Sequence, residues 1–237
     1  MIIPDIHERT HILLGTTALE RLGNAHVLVA GLGGVGGHCT EALARAGIGK
    51  LTLIDSDVVT ASNINRQLVA LHSTVGRAKI EVMQERIADI NPACRVNVHQ
   101  VFLTPENIFE YLPNDVDWVI DCIDTVPSKV ALIAAARQRS LPVAASMGAG
   151  NRLEPSRIRI ADISKTHGCP LARIMRNQLR KVGVESGVLT VFTDEPAQAP
   201  RPRQEGESRP TNGTISYMPP LFGLMLAGSV LSRLAAE

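Results

Sequence analysis

The run Gly31–Leu32–Gly33–Gly34–Val35–Gly36 constrains this chain more than any other, because a G-x-G-x-x-G spacing directly after a strand-like segment admits few folds. The five residues before it, His26–Val27–Leu28–Val29–Ala30, have the length and β-branching of a buried strand, and Glu41 to Ala46 read as helix. Glycines let the backbone approach a phosphate, and the start of a helix adds N–H donors and positive dipole character. Gly31, Gly33, Gly34 and Gly36 are therefore candidate nucleotide-binding positions. By itself the loop specifies only a nucleotide, with NAD, FAD and ATP all open.

Downstream, the same alternation repeats. Strands are predicted at Leu51 to Ile54, Arg95 to Leu103, Trp118 to Cys122 and Pro142 to Ser146, with helices at Arg77 to Ile90 and Ser128 to Arg139 and a short one opened by Pro105. This β-α-β order predicts an α/β fold of the Rossmann-like kind, a doubly wound and mainly parallel sheet with ligands beyond the carboxyl ends of its strands. After Gly150 the pattern changes. Arg157 to Ile163 alternates like an exposed antiparallel strand, and Cys169 to Val182 reads as an amphipathic helix with Leu171, Ile174, Met175 and Leu179 on its apolar side. Val188 to Thr193 and Thr214 to Met218 read as further strands, and a last helix starts near Pro219. The expected organisation is one adenylating domain over 1–237, with a nucleotide-binding core at 1–150. A substrate-side extension at 151–237 holds a flexible loop, 195–213, that is rich in Pro, Arg, Gln, Glu and Ser.

Composition narrows the function. A net charge of +1 argues against wholesale wrapping of nucleic acid, although the halves differ: 12 basic against 15 acidic residues through Gly150, and 12 against 8 after it. Cys39, Cys94, Cys122 and Cys169 form no C-x-x-C pair, which speaks against structural zinc and a disulfide framework and fits a reducing cytoplasm. Met1 to Thr10 carries charges and a proline, unlike a signal peptide, and the apolar stretch Met218 to Leu231 is broken by Pro219, Pro220 and Gly223, so a buried helix is expected there and no membrane span.

Three clusters carry the chemistry. Asp55, closing the second strand, is placed to accept hydrogen bonds from ribose hydroxyls. Next come Asp57, then Asn63–Ile64–Asn65–Arg66–Gln67 and Lys79. A dehydrogenase has no use for Arg66 and Lys79 converging on a nucleotide, whereas an enzyme expelling pyrophosphate needs fixed cations against the charge on the leaving oxygens. Asp121 and Asp124 close the Trp118 to Cys122 strand and face the crevice. Asp124, just past the strand, is the better candidate for Mg²⁺, while Asp121 alternatively caps a helix or supports the loop.

In this order and spacing, Gly31 to Gly36, Asp55-x-Asp57, Asn63-x-Asn-Arg-Gln67, Lys79 and Asp121-x-x-Asp124 resemble the ubiquitin-activating-enzyme-like (ThiF/MoeB) superfamily. The resemblance implies that Asp55 binds the ribose of ATP, that Asn63, Arg66 and Lys79 contact its phosphates, and that Asp124 serves Mg²⁺ and the adenylation step. Arg9 matches an N-terminal arginine that family members send into the partner subunit's ATP site, which implies a homodimer. Stretches such as Ala161–Asp162–Ile163–Ser164–Lys165–Thr166 and Cys169–Pro170–Leu171–Ala172 are most similar to the branch that dehydrates threonylcarbamoyladenosine in tRNA. That branch adenylates the side-chain carboxylate and lets a nucleophile within the same modification close a ring, so no enzyme thiol is needed.

A tRNA substrate asks for phosphate contacts, and Arg173, Arg176 and Arg180 with Lys165 are the candidates; Cys169 is read as structural. The nearest rival reading is an activator of a ubiquitin-like sulfur carrier, which the missing zinc cysteines weaken. An NAD-dependent oxidoreductase and a non-catalytic nucleotide-binding scaffold are the others. A sulfur-relay protein stays open as a further partner.

Overall fold

The computed structural model describes residues 5–199, 202 and 212–236. Two helices, α1 (Glu8–Leu14) and α2 (Thr16–Asn24), precede β1 (His26–Ala30). Then follow α3 (Gly36–Arg45), β2 (Lys50–Ile54), α4 (Lys79–Ile90), β3 (Arg95–His99), α5 (Ile108–Tyr111), β4 (Trp118–Asp121), α6 (Val126–Gln138) and β5 (Val143–Ser146). The last part of the chain forms β6 (Ile158–Asp162), α7 (Pro170–Lys181), β7 (Val188–Thr193) and α8 (Met218–Ala236).

The seven strands among the described residues share one sheet in the order β3-β2-β1-β4-β5-β7-β6. Every neighbouring pair is parallel except β6 with β7, so the expected mainly parallel sheet with an antiparallel C-terminal edge is what forms. The order reverses between β1 and β4, which opens a crevice at the carboxyl ends of those two strands.

The strands are buried on both faces because their side chains alternate between two cores. Val27 and Val29 join Leu22, Leu43, Met83 and Phe222 on the side covered by α2, α3 and α8. Leu28 and Ala30 join Leu132, Ile133, Met175 and Phe192 on the side covered by α6 and α7. By length and composition α8 could cross a membrane, but half of it is buried inside the fold, against α2 and α3, with Phe222, Leu226 and Val230 fully covered.

Several sequence boundaries shift. The helix after the glycine loop begins at Gly36, five residues before Glu41, because the loop itself turns directly into helix. The third strand ends at His99, so Val101, Phe102 and Leu103 are released to line the crevice. Residues 214–217 form no strand: the segment is irregular and bends at Ser216 and Tyr217 into α8 at Met218, with Asn65 Nδ2 donating to the Thr214 carbonyl (2.9 Å). Helices α1 and α2 had no sequence counterpart. On α7 it is Ala172, Met175 and Leu179 that are buried, while Ile174 is 43% exposed. The loop predicted at 195–213, with Arg201, Arg203 and Arg209, lies mostly outside the described residues.

Candidate functional site

A cavity of about 720 Å³ opens at the switch point. Its floor is the glycine loop. Gly31 takes φ +89°, a left-handed conformation that glycine adopts freely, and its Cα packs so closely on the Cys122 carbonyl that a Cβ would sit 2.7 Å from the oxygen. At Gly36 a Cβ would fall 1.7 Å from the Gly31 carbonyl oxygen, so this glycine lets α3 start against the end of β1. Gly31, Gly33 and Gly34 line the cavity; Gly36 supports the loop from behind.

Asp55 follows β2 and braces the loop. One carboxylate oxygen accepts from the Leu32 N–H (2.5 Å) and the other from the Asp57 N–H (2.8 Å). Burial raises its pKa above the ordinary carboxylate value, while the nearby Lys79 charge and the two backbone donors pull it back. Lys79, at the start of α4 and almost fully buried, projects its ammonium onto Asp57 Oδ2 at 2.7 Å. The cation is thereby held at the cavity wall in a fixed place.

The third wall comes from the turn after Thr60. Asn63 Oδ1 accepts from the Thr60 N–H (3.2 Å), and its carbonyl accepts from the Arg66 and Gln67 N–H groups. Arg66 Nη1 donates to the Ser62 carbonyl and to Asn65 Oδ1, both at 2.8 Å, so the guanidinium is oriented before any ligand arrives. Gln67 is buried, and its Oε1 has no hydrogen-bond partner among the described residues, leaving an acceptor at the cavity margin. Asp124 stands exposed on the opposite wall, in the loop between β4 and α6.

The structure thus gathers Gly31, Gly33, Gly34, Asp55, Asp57, Asn63, Arg66, Gln67, Lys79 and Asp124 around one space. Asp121 is a correction. It is fully buried, its Oδ2 lies 2.8 Å from the equally buried Lys129 ammonium, and it does not reach the cavity. The reason is register: Asp121 is the last residue of β4 and its side chain stands on the sheet face covered by α6, where Lys129 meets it, whereas Asp124 lies beyond the strand. Arg9 is exposed on α1 and does not line the cavity of its own chain. Of the basic set, Arg176 is bound to the Thr166 carbonyl (2.8 Å) and hydroxyl, fixing the turn before α7; Lys165, Arg173 and Arg180 are exposed. Cys169 is buried at the start of α7.

Sequence reasoning missed the apolar wall of Ile54, Val101 and Phe102 and the far wall of Met147 to Gly150 with Leu171, Asn212 and Thr214. The rule that ligands sit beyond carboxyl strand ends could have found the residues after β3 and β5. Nothing in the sequence marked Asn212 or Thr214. Asn151 holds that segment in place: in a left-handed conformation (φ 58°), it binds Asn212 Oδ1 through its amide, and its Oδ1 accepts from the Gly213 N–H at 2.7 Å.

Among the described residues no three His, Cys, Asp or Glu side chains cluster as a protein-only metal site. A cation here would rest on one carboxylate and on oxygens brought by the ligand, the way Mg²⁺ is usually held beside phosphates, and the exposed Asp124 carboxylate fits that donor set.

Comparison with known proteins adds four findings. The model of the ThiF family matches residues 7–237. The tRNA threonylcarbamoyladenosine dehydratase of Bacillus subtilis is 40% identical over 239 residues, 97% of this chain and 94% of that protein. The crystal structure of the Escherichia coli tRNA N6-threonylcarbamoyladenosine dehydratase in complex with ATP superposes with a TM-score of 0.88 at 38% identity, over 100% of this chain and 98% of that one. The probable adenylyltransferase/sulfurtransferase MoeZ of Mycobacterium tuberculosis is 37% identical, but over 57% of this chain and 32% of its own length.

Proposed function

The chain belongs to the ThiF family, and on that premise we propose that it is an ATP-dependent dehydratase of threonylcarbamoyladenosine in tRNA. One observation carries the reading: a glycine loop, the Asp55 carboxylate, two pre-oriented cations and an Asp124 carboxylate unpaired among the described residues meet at one cavity, in a chain that matches tRNA dehydratases over 97% of its length or more. The match to the probable adenylyltransferase/sulfurtransferase is confined to about half the chain, which leaves activation of a sulfur carrier as the related but less supported reading.

In this reading residues 1–150 bind the nucleotide and 151–237 form the substrate side. Gly33 and Gly34 let the triphosphate approach the backbone, and Asp55 exchanges its hold on Leu32 and Asp57 for the ribose hydroxyls. Asn63 and Gln67 complete the polar wall. The substrate carboxylate attacks the α-phosphorus, the bond to the bridging oxygen breaks, and pyrophosphate leaves against Arg66 and Lys79. A nucleophile in the same modification then attacks the acyl carbon, releases AMP and closes the ring, so the nucleoside loses one water overall. Mg²⁺, held by Asp124 and the phosphates, would neutralise phosphate charge when bound. Asp124 itself orients the reacting groups on the wall facing the cations.

Two further features support partners. Helix α1 and the turn before it expose Ile6, Ile12 (77%), Leu13 (82%) and Leu14, apolar surface suited to a second copy of this chain, with Arg9 on the same helix to enter the partner's site. Exposed Lys165, Arg173 and Arg180 supply phosphate contacts for tRNA, in a cytoplasmic setting. A sulfur-relay partner is compatible with this arrangement and has no feature of its own in support.

The test is mass spectrometry of nucleosides from threonylcarbamoyladenosine-containing tRNA after incubation with the protein, ATP and Mg²⁺. The expected product is lighter by one water (about 18 Da) and requires ATP. Unchanged tRNA, with adenylate instead on the C-terminus of a ubiquitin-like carrier, would overturn the substrate and keep the adenylation chemistry.

A further inference from the structure

Below the cavity, outside the set of residues that line it, lies a fully buried ion pair. Lys129, on the first turn of α6, and Asp121, at the end of β4, are both 0% exposed. The Lys129 ammonium donates to the carbonyl of Ile123 (3.0 Å) and to the carbonyl of Ser146 (2.9 Å), and stands 2.8 Å from Asp121 Oδ2. Three oxygens therefore surround a group that has three N–H bonds to give. Asp121 Oδ1 accepts in turn from the Ile123 N–H at 3.1 Å, and its Oδ2 has no compensation besides the ammonium.

Ile123 belongs to the turn that carries Asp124, and Ser146 ends β5 directly before the Met147 to Gly150 wall. Both residues line the cavity. One ammonium thus pins two walls, on adjacent parallel strands, to a single point. Stability alone does not call for such a device, since a buried ion pair is often no better than well-packed apolar side chains. What it supplies is fixed direction: each carbonyl must point at one nitrogen, and the turn from Cys122 to Asp124 has no freedom to slide along the crevice.

We propose that Lys129 and Asp121 are positioning residues for catalysis, a buried clamp that sets Asp124 and the substrate-side wall against the nucleotide phosphates. The clamp rests on the adenylation reading for its effect on rate. Its effect on geometry stands independently. Asp55 and Lys79, assigned to ATP in this reading, stand just after β2 and on α4, away from the clamped turn, so loss of the clamp acts on turnover more than on affinity.

The experiment uses three variants of the full chain: Lys129→Met, Asp121→Asn and the double Lys129→Met/Asp121→Leu. Thermal midpoint, ATP affinity by calorimetry, the ATP-dependent rate of product formation, and hydrogen exchange of peptides covering 122–125 and 146–149 are measured beside the parent. Lys129→Met strands a buried carboxylate and loses about 10 °C in Tm. The double variant removes both charges and returns to within about 3 °C of the parent. Its kcat nonetheless falls roughly 10- to 100-fold, with ATP affinity changed by less than about threefold, and exchange in the two peptides rises. A double variant that regains rate and exchange protection together with Tm would overturn the clamp and leave a purely structural ion pair. A loss of ATP affinity that accounts for the whole fall in rate would overturn it as well. A parent protein that turns over no modified tRNA would fail the functional reading instead, and the exchange data would then decide the clamp by themselves.

Discussion

The two ends of the parallel sheet carry similar residue types and put them to opposite uses. At the amino end, His26 Nε2 bonds the Thr52 hydroxyl (2.8 Å), its Nδ1 meets the Asp115 carbonyl (3.1 Å), the His26 N–H reaches Asp117 (2.7 Å), and Lys50 pairs with Asp115 (2.6 Å). These polar groups are spent on one another. At the carboxyl end, Arg66, Lys79, Asp55 and Asp57 are held in place yet still face an open space, and Asp124 and the buried acceptor of Gln67 have no partner among the described residues. A polar cluster that satisfies itself stabilises a fold; one left with unspent donors and acceptors around a cavity is prepared for a ligand.

The largest effect is expected at Asp124. Changing Asp124→Ala should lower kcat by roughly 10²–10³-fold with Tm unchanged, measured by product formation beside a melting curve, because an exposed side chain is lost from the site but not from the core. Retained turnover would move the chemistry elsewhere in the cavity. Lys79→Met comes next, with about a 100-fold loss of turnover; the companion Asp57→Asn should lose less, since it orients the cation without carrying the charge. Gly36→Ala tests the scaffold of the same end. A Cβ 1.7 Å from the Gly31 oxygen cannot be accommodated without moving α3, and a loss of about 3 kcal/mol in denaturant unfolding is expected.

The smallest effect belongs to the amino end and sharpens the contrast. Burial, helped by the Lys50 charge and opposed by Asp115, lowers the His26 pKa below its ordinary value. The folded state then binds this proton more weakly than the unfolded chain does. Its contribution to stability is whole above about pH 6.5 and is lost as pH falls through the lower folded value. His26→Gln should flatten that acid-side decline by about 2 °C in Tm while leaving turnover at neutral pH alone. A change in turnover from this variant would mean that the two ends are coupled.

What could be read in advance divides along the same line. The strands from His26 to Ala30 and from Val188 to Thr193 were legible to the residue, because mainly apolar, valine-rich runs of five and six residues, each with a glycine at one end, are too brief for a helix and suit a buried strand. Lys79 and Arg66 stood out by their neighbours. The segment from Thr214 to Tyr217 misled, since its residues favour a strand but it pairs with none: the Thr214 carbonyl accepts from the Asn65 side chain and the segment runs straight into α8. Ile174 misled as well, because helical spacing fixes an apolar stripe only to within a residue of its margins.

By itself the sequence determined the parallel, doubly wound sheet, the glycine loop and most of the polar side chains that gather at the cavity, all of which depend on local pattern and on motifs short enough to read along the chain. Only the tertiary structure decided that Asp121 turns inward to Lys129 while Asp124, three residues on, faces the cavity. It also brought Met147 to Gly150, Leu171, Asn212 and Thr214 to the far wall. Both outcomes turn on which strand ends beside which, and on where each strand stops. Those are properties of long-range packing, set by pairing between segments that share no local signal.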